Sequence, residues 1–309
     1  MLTVVAFIAT VFYLNNEVYC PEKTVDEYLQ ALARGDGESA LGILNASVPK
    51  SNAAVLDGPA LQQAAAAVTN VSIGDPVEAD GGRVQVPVSY TIRETIHSTT
   101  FTLEPGPARW TLFDTWEFVP APLPTVSVSA INVAEAALNG SRIALPGGQN
   151  VFSTFYPVEL EAHYTSEYFS APATTLPVTS VKPGGTISLK TEATTALVEA
   201  VDSQLRTFLD DCAKQTVFQP TNCPFHFQTE QRLAGDISWS IAAYPEVRIA
   251  PNNGEWVMAP LAGTATLKTK LQDLFTGAVQ PVTVDQDFGF TARLRVDEST
   301  VTVTPVVDY

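Results

Sequence analysis

Apolar residues first recur at helical spacing over residues 24–44, TVDEYLQALARGDGESALGIL. Val25, Tyr28, Leu29 and Leu32 fall at i, i+3, i+4 and i+7, which is one face of a helix. Thr24 and Glu27 stand at capping-box spacing, so each side chain can satisfy the other's orphan amide. Arg34 suits the carbonyl end, and Gly35 supplies a left-handed stop. Asp36 can then cap a second helix that presents Ala40, Leu41, Ile43 and Leu44. Asp57-Gly58-Pro59 reads as a cap followed by a proline in the first turn, with Leu61, Ala64, Ala65 and Val68 continuing a short helix.

Beyond Val68 the pattern becomes strand-like. Strands are expected over 68–78, 83–93, 97–104 and 109–118, the first two joined by a hairpin turn at Asp80-Gly81-Gly82. Val84, Val86, Val88 and Tyr90 alternate with polar or turn-prone residues, so one face is buried. Near 110–113 the last strand is apolar on both sides, as a central strand would be. The proline alternation of 119–124, VPAPLP, reads as a stiff linker. A small all-β module follows over 125–190, punctuated by Asn139-Gly140, Pro146-Gly147-Gly148 and Lys182-Pro183-Gly184-Gly185. Residues 191–215 return to helical spacing, with Leu197, Val198, Val201, Leu205, Phe208, Leu209 and Cys212 in one stripe. Strands are then expected over 236–243, 246–249, 256–274, 279–295 and 300–307, with a hairpin turn at Asn252-Asn253-Gly254. Helix and then meander repeats the plan of the first domain.

Helices followed by long antiparallel strands is the order of the cystatin-like, NTF2-like α+β roll. YLQALARGDGESAL resembles the usual opening of secreted actinobacterial NTF2-like domains, and RWTLFDTW resembles their final strand. NVAEAALNGSRIAL and VFSTFYPVELEAHYTSEYF resemble the small β modules of membrane-anchored bacterial envelope proteins, of which the teicoplanin-resistance-associated membrane proteins are an example. Where those modules carry aromatic-Pro-Gly, Tyr156-Pro157 is followed here by Val158. The expected architecture is α+β. It comprises a membrane anchor at 1–15, an NTF2-like (cystatin-like) roll at 21–118, a linker at 119–124, a small β-sandwich module at 125–190 and a second helix-plus-antiparallel-sheet domain at 191–309.

Composition narrows the partners. Acids outnumber bases 33 to 17, and a net charge of −16 disfavours nucleic acid and anionic lipid headgroups. Residues 1–14 are apolar and uncharged, though about six residues short of a membrane span. One reading is the outer half of a membrane helix whose remainder lies upstream; the other is a short buried strand. Cys212 ends the expected helix and Cys223 lies just beyond it, a pair suited to a short disulfide loop in an oxidising compartment. A zinc site is the competing idea, with only His226 nearby as a further ligand. Cys20 is left over.

Catalytic signatures are sparse. The chain has no Gly-x-Ser-x-Gly elbow, no phosphate-cradling loop and no His-Glu-x-x-His. Isomerases of the NTF2-like roll use an aspartate base and a tyrosine or acid as oxyanion donor; the resemblance would cast Tyr90, His97 and Asp114 in such a pocket. Asp285-Gln286-Asp287 lacks the glycine and distal glutamate of a calcium loop and reads as a solvated turn. No cofactor or metal is implied. Trp239, Trp256, Phe225 and Phe227 are either the core of the C-terminal domain or the lining of a recognition groove around the cysteine loop. Phe218, Pro220 and Pro224 would stiffen that loop. These features add up to a single-pass, extracytoplasmic binding or scaffold protein of the cell envelope. Its partner would be an envelope protein, a cell-wall component or a small molecule such as an antibiotic. The alternative is a small-molecule-binding protein or isomerase-like enzyme using the first roll's pocket.

Overall fold

The computed structural model describes residues 20–107, 115–182, 184–252, 255–297 and 300–307. It is a mixed α+β structure whose sheets are mostly antiparallel. Two compact units divide it: the described residues through Tyr164 with Ala171–Lys190, and Thr165–Ser170 with the chain from Thr191 onward.

The first unit opens on helix α1 (Pro21–Arg34), which buries Val25, Tyr28, Ala31 and Leu32. Proline in the first turn starts this helix ahead of the expected capping box. Thr24 therefore lies inside it, and Cys20 is the N-cap residue. Gly35 ends the helix at φ 71°, as its position in the sequence implied. Helix α2 (Gly37–Leu44) begins on Asp36, whose carboxylate accepts the Ser39 amide at 3.0 Å. Helix α3 (Gly58–Ala66) packs so closely on this turn that Gly58 N donates to Gly35 O at 2.9 Å. A Cβ on Gly37 would lie 1.8 Å from the Leu56 carbonyl oxygen, and one on Gly35 2.5 Å from that of Gly58. Asp57, expected to cap α3, makes no such bond and instead accepts the Gly37 amide at 2.9 Å. Two carboxylates thus meet the positive end of α2.

The roll's sheet contains β1 (Thr69–Ile73), β2 (Val77–Glu78), β3 (Val84–Ile92), β4 (Thr95–Pro105) and β5 (Trp116–Phe118). Their order is β1-β3-β4-β5, with β2 also paired to β3. The Asp80-Gly81-Gly82 turn joins β2 to β3, and Val84, Val86, Val88, Tyr90 and Ile92 point inward. Arg93 and Glu94 form the β3–β4 turn at φ 45° and 64°, left-handed values usually given to Asn-Gly. From there Arg93 reaches the Glu159 carboxylate at 2.5 Å and that of Glu161 at 3.3 Å. Of the expected strand at 109–118, residues 109–114 lie outside the described residues.

The β module belongs to the same unit. One sheet is formed by β6 (Thr125–Ala130), β9 (Gln149–Ser153) and β12 (Thr186–Leu189). The other contains β7 (Glu135–Leu138), β8 (Ser141–Ala144), β10 (Val158–Thr165) and the first unit's part of β11 (Phe169–Val178). Asn139 and Gly140 turn the β7–β8 hairpin at φ 43° and 73°, the left-handed pair their sequence calls for. Residues 119–124 are no free spacer. Ser47 N donates to Ala121 O at 3.2 Å, Leu123 N to Ser47 O at 2.9 Å, and the Leu123 side chain is buried. One hydrophobic core runs from α1 through the roll's sheet to Phe152, Phe155 and Val158 of the module. Proline alternation fixed an extended backbone, but the remaining polar groups and Leu123 tie it down.

In the second unit β13 (Glu192–Ala193) pairs with Phe169–Ser170, and Thr194 caps α4 (Thr195–Ala213). Leu197, Val201, Leu205, Leu209 and Cys212 of α4 are buried. The sheet contains β14 (Arg232–Leu233), β15 (Ser238–Ala243), β18 (Leu261–Gln272), β19 (Val279–Asp297) and β20 (Thr300–Val306), while β16 (Ile249–Asn252) and β17 (Glu255–Met258) form a separate hairpin. The single strand expected over 256–274 is split, because Ala259-Pro260 interrupts the ladder between β17 and β18. Asp285 and Asp287 lie within β19, where they accept from Thr266 and Thr264 across the strands; the expected solvated turn is absent there. Gln204 of α4 donates to Val301 O at 2.9 Å and accepts from Val303 N at 3.0 Å, so its amide covers part of the β20 edge. No helix among the described residues is long and apolar enough to cross a membrane, and the anchor expected at 1–15 lies outside them.

Two outcomes follow from this packing. Gly37→Ala should destabilise the first unit by about 2 kcal/mol or more, since the new methyl meets backbone. Gly42→Ala, with open space around its helical site, should stabilise by about 0.5–1 kcal/mol; urea unfolding compares the two. Burial pushes the Tyr28 phenol well above its ordinary ionisation range. The folded state therefore favours neutral Tyr28, a contribution intact below the unfolded pKa of about 10 and lost as pH rises beyond it. Alkaline unfolding of Tyr28→Phe should be correspondingly less steep.

Candidate functional site

Three places were marked by the sequence, and each is built differently. In the roll, β3 and β4 set Tyr90 directly opposite His97, their rings stacked at 6.0 Å. The Tyr90 hydroxyl lies 2.7 Å from Thr99 Oγ1, and Thr99 Oγ1 donates to Thr179 O at 2.6 Å. A carbonyl only accepts, so Thr99 spends its proton there and Tyr90 must donate to Thr99. Burial also raises the Tyr90 ionisation. A phenol whose proton is already committed is a poor oxyanion donor. Around it Val86, Val88, Ile92, Phe101 and Leu103 fill the interior against Tyr28 and Leu32. His97 is half-buried at the edge of this packing, and Asp114 lies outside the described residues.

The cysteine loop does close. Cys212 and Cys223 form a disulfide with Cα atoms 5.7 Å apart, joining the last turn of α4 to residues 11 positions on. Inside the loop, Gln215 accepts the Thr221 amide at 2.8 Å and donates to its carbonyl at 3.2 Å, as a paired strand would. Phe225 is buried between Trp239 at 4.9 Å and Phe288 at 5.5 Å. The Trp239 indole donates to Val217 O at 2.8 Å. Pro220 is buried, while Phe218 and Phe227 meet half-buried at 5.8 Å with their rings tilted by 50°, and Pro224 is half-buried. The aromatic residues therefore build the loop from within. What faces water is Val217, Gln219, Thr221, Asn222 and His226.

Trp256 is elsewhere. It stacks on Phe169 at 4.4 Å and lines a groove of about 900 Å³ between the β16–β17 hairpin and β19–β20. Met258, Arg293, Arg295, Thr302 and Thr304 share that groove. Cross-strand register places Arg293 opposite Thr304 and Arg295 opposite Thr302, so two guanidinium groups and two hydroxyls project from one face. The sequence held a clue in this alternation, Arg-x-Arg facing Thr-x-Thr, but nothing local showed that Trp256 would fold over it. Among the described residues no three His, Cys, Asp or Glu side chains are grouped to hold a metal ion.

Removing the bridge with Cys212→Ala/Cys223→Ala should cost the second unit about 3 kcal/mol. Phe225→Ala should cost about 3–5 kcal/mol, and His226→Ala, at an exposed position, less than about 0.5 kcal/mol. Urea unfolding followed by tryptophan fluorescence ranks the three. Comparison of the chain with family models, curated proteins and solved structures finds no match.

Proposed function

We propose that the chain is an extracytoplasmic, membrane-anchored binding or scaffold protein of the bacterial cell envelope. The observation that carries this reading is the Cys212–Cys223 bridge, a buried structural cystine of the kind kept in oxidising compartments. The uncharged apolar run of residues 1–14 supports attachment to the membrane through the N-terminus. Helices packed on an antiparallel sheet, with Tyr28, Tyr90, Phe101 and Phe118 in the core between them, support an NTF2-like (cystatin-like) roll.

Binding would fall to the second unit. The Trp256 groove offers an aromatic ring, the Arg293 guanidinium, an Arg295 paired with Asp297 at 3.5 Å, the Glu255 carboxylate and two hydroxyls. This suits a polar wall polymer with anionic groups near Arg293. The committed proton of Tyr90 weighs against an isomerase-like use of the roll.

Fractionation of producing cells tests the location. The chain should stay with membranes through carbonate extraction and be degraded by protease added outside intact protoplasts. Recovery in the cytosol, protected from that protease, would overturn the reading. Retention on isolated wall material should fall about tenfold or more in Trp256→Ala/Arg293→Ala if the groove is the contact.

A further inference from the structure

The β18–β19 hairpin ends in a turn that pushes its largest apolar side chains into water. Phe275 is 101% exposed and Leu274 70%. This is no loose tip. The Asp273 carboxylate accepts the amides of Phe275 at 2.9 Å and Thr276 at 2.7 Å, and the Thr276 hydroxyl at 3.0 Å. Gly277 N donates to Asp273 O, and Asp273 N to Ala278 O, each at 2.9 Å. Five hydrogen bonds hold the backbone that presents this apolar pair, so little backbone entropy is left to lose on contact. Val279 and Leu233 extend the exposed apolar surface beside it.

Charge is inverted around the same tip. Lys268, Lys270 and Gln272 alternate along the exposed face of β18, and Arg232 pairs opposite Gln272, so all three cations share one face. Among the described residues none of the three has an ion-pair partner. Of the nearby acids, Asp273 is spent in the turn, Glu230 and Asp236 flank β14, and Asp285 and Asp287 sit further along the face, bonded to threonines. A chain of net charge −16 thus carries a cationic collar beside the most exposed large apolar side chain among the described residues. Screening acts over about 10 Å, so a surface meeting the tip senses the collar more than the net charge.

We propose that this tip inserts Leu274 and Phe275 into the interfacial layer of an anionic lipid bilayer, with Arg232, Lys268 and Lys270 against the headgroups. The contact goes beyond the N-terminal attachment and does not depend on it. To test it, the full-length chain carries an environment-sensitive fluorophore on Ala278→Cys in a Cys20→Ser background, leaving Leu274 and Phe275 in place. Vesicles of phosphatidylcholine, alone or mixed with phosphatidylglycerol, are added. The label should shift to the blue and be quenched by lipid-borne quencher on the mixed vesicles. The Phe275→Ser variant keeps residues 1–14, so attachment through them cannot mimic a response that depends on Phe275. Phe275→Ser should weaken the response about tenfold or more, and Lys268→Glu/Lys270→Glu should weaken it on mixed vesicles only. Circular dichroism should be unchanged in both variants. A label that stays aqueous on mixed vesicles, or responds equally without Phe275, overturns the proposal. Burial of the label by a protein and not by lipid does the same and assigns the tip to a protein partner.

Discussion

The side chain of Tyr28 is where the first unit is held together. Its ring is wholly buried and meets Phe101 of β4, Phe118 of β5 and Phe155 of the module edge-on, at 5.8, 5.5 and 6.4 Å. Its hydroxyl donates to the Tyr156 carbonyl at 2.7 Å, and Tyr156 in turn stacks on Phe101. One residue of α1 therefore contacts the sheet of the roll and the connection that precedes β10. Edge-to-face pairs add to area burial, and the phenol satisfies a carbonyl that would otherwise be stranded in an apolar setting. Roll and module share a core because this cluster belongs to both. The same cluster occupies much of the space between helix and sheet, and Phe101, Phe118 and Tyr156 also line a cavity of about 210 Å³ beside Leu44 and Pro120.

Much of this could be read from the chain, wherever a local rule had no competitor. Gly35 had to be left-handed, Asp36 had a helix start to satisfy, and Asn139-Gly140 had only one favoured turn. The alternation of β3 and the stripe of α4 each named the buried face. The cysteine pair was legible because a helix end and a short loop bring two thiols within reach. Failures came where a residue's partner was distant in sequence. Asp57 chose the amide of Gly37 over its own helix, and Leu123 converted a proline run into buried structure. Tyr90 sat where a pocket was imagined, but its proton went to a relay ending 89 positions away at Thr179 (residues 90 and 179). Trp256 could be recognised as conspicuous, whereas the arginines it lies beside could be placed only through the β19–β20 register.

Under the proposed reading the second unit is the part that meets partners. Its cystine, with Phe225 wedged between Trp239 and Phe288, pins the end of α4 to the sheet's inner face. Phe225 and Trp239 are used as internal mortar while Phe218, Pro224 and Phe227 keep part of their surface, and the Arg293–Arg295 groove and the β18–β19 tip are further candidates for contact. Both place cations on a strongly acidic chain, so local charge guides association where the net charge would not. The amide of Gln204 on the β20 edge limits a less specific route, strand addition.

An oxidised Cys212–Cys223 pair in the living cell is what the functional account most needs. Cells expressing the chain can be quenched in acid, their free thiols alkylated under denaturing conditions, and the unreduced peptides mapped by mass. The account predicts one linked peptide pair containing Cys212 and Cys223, with alkylation confined to Cys20. Alkylated Cys212 and Cys223 in freshly quenched cells would contradict it.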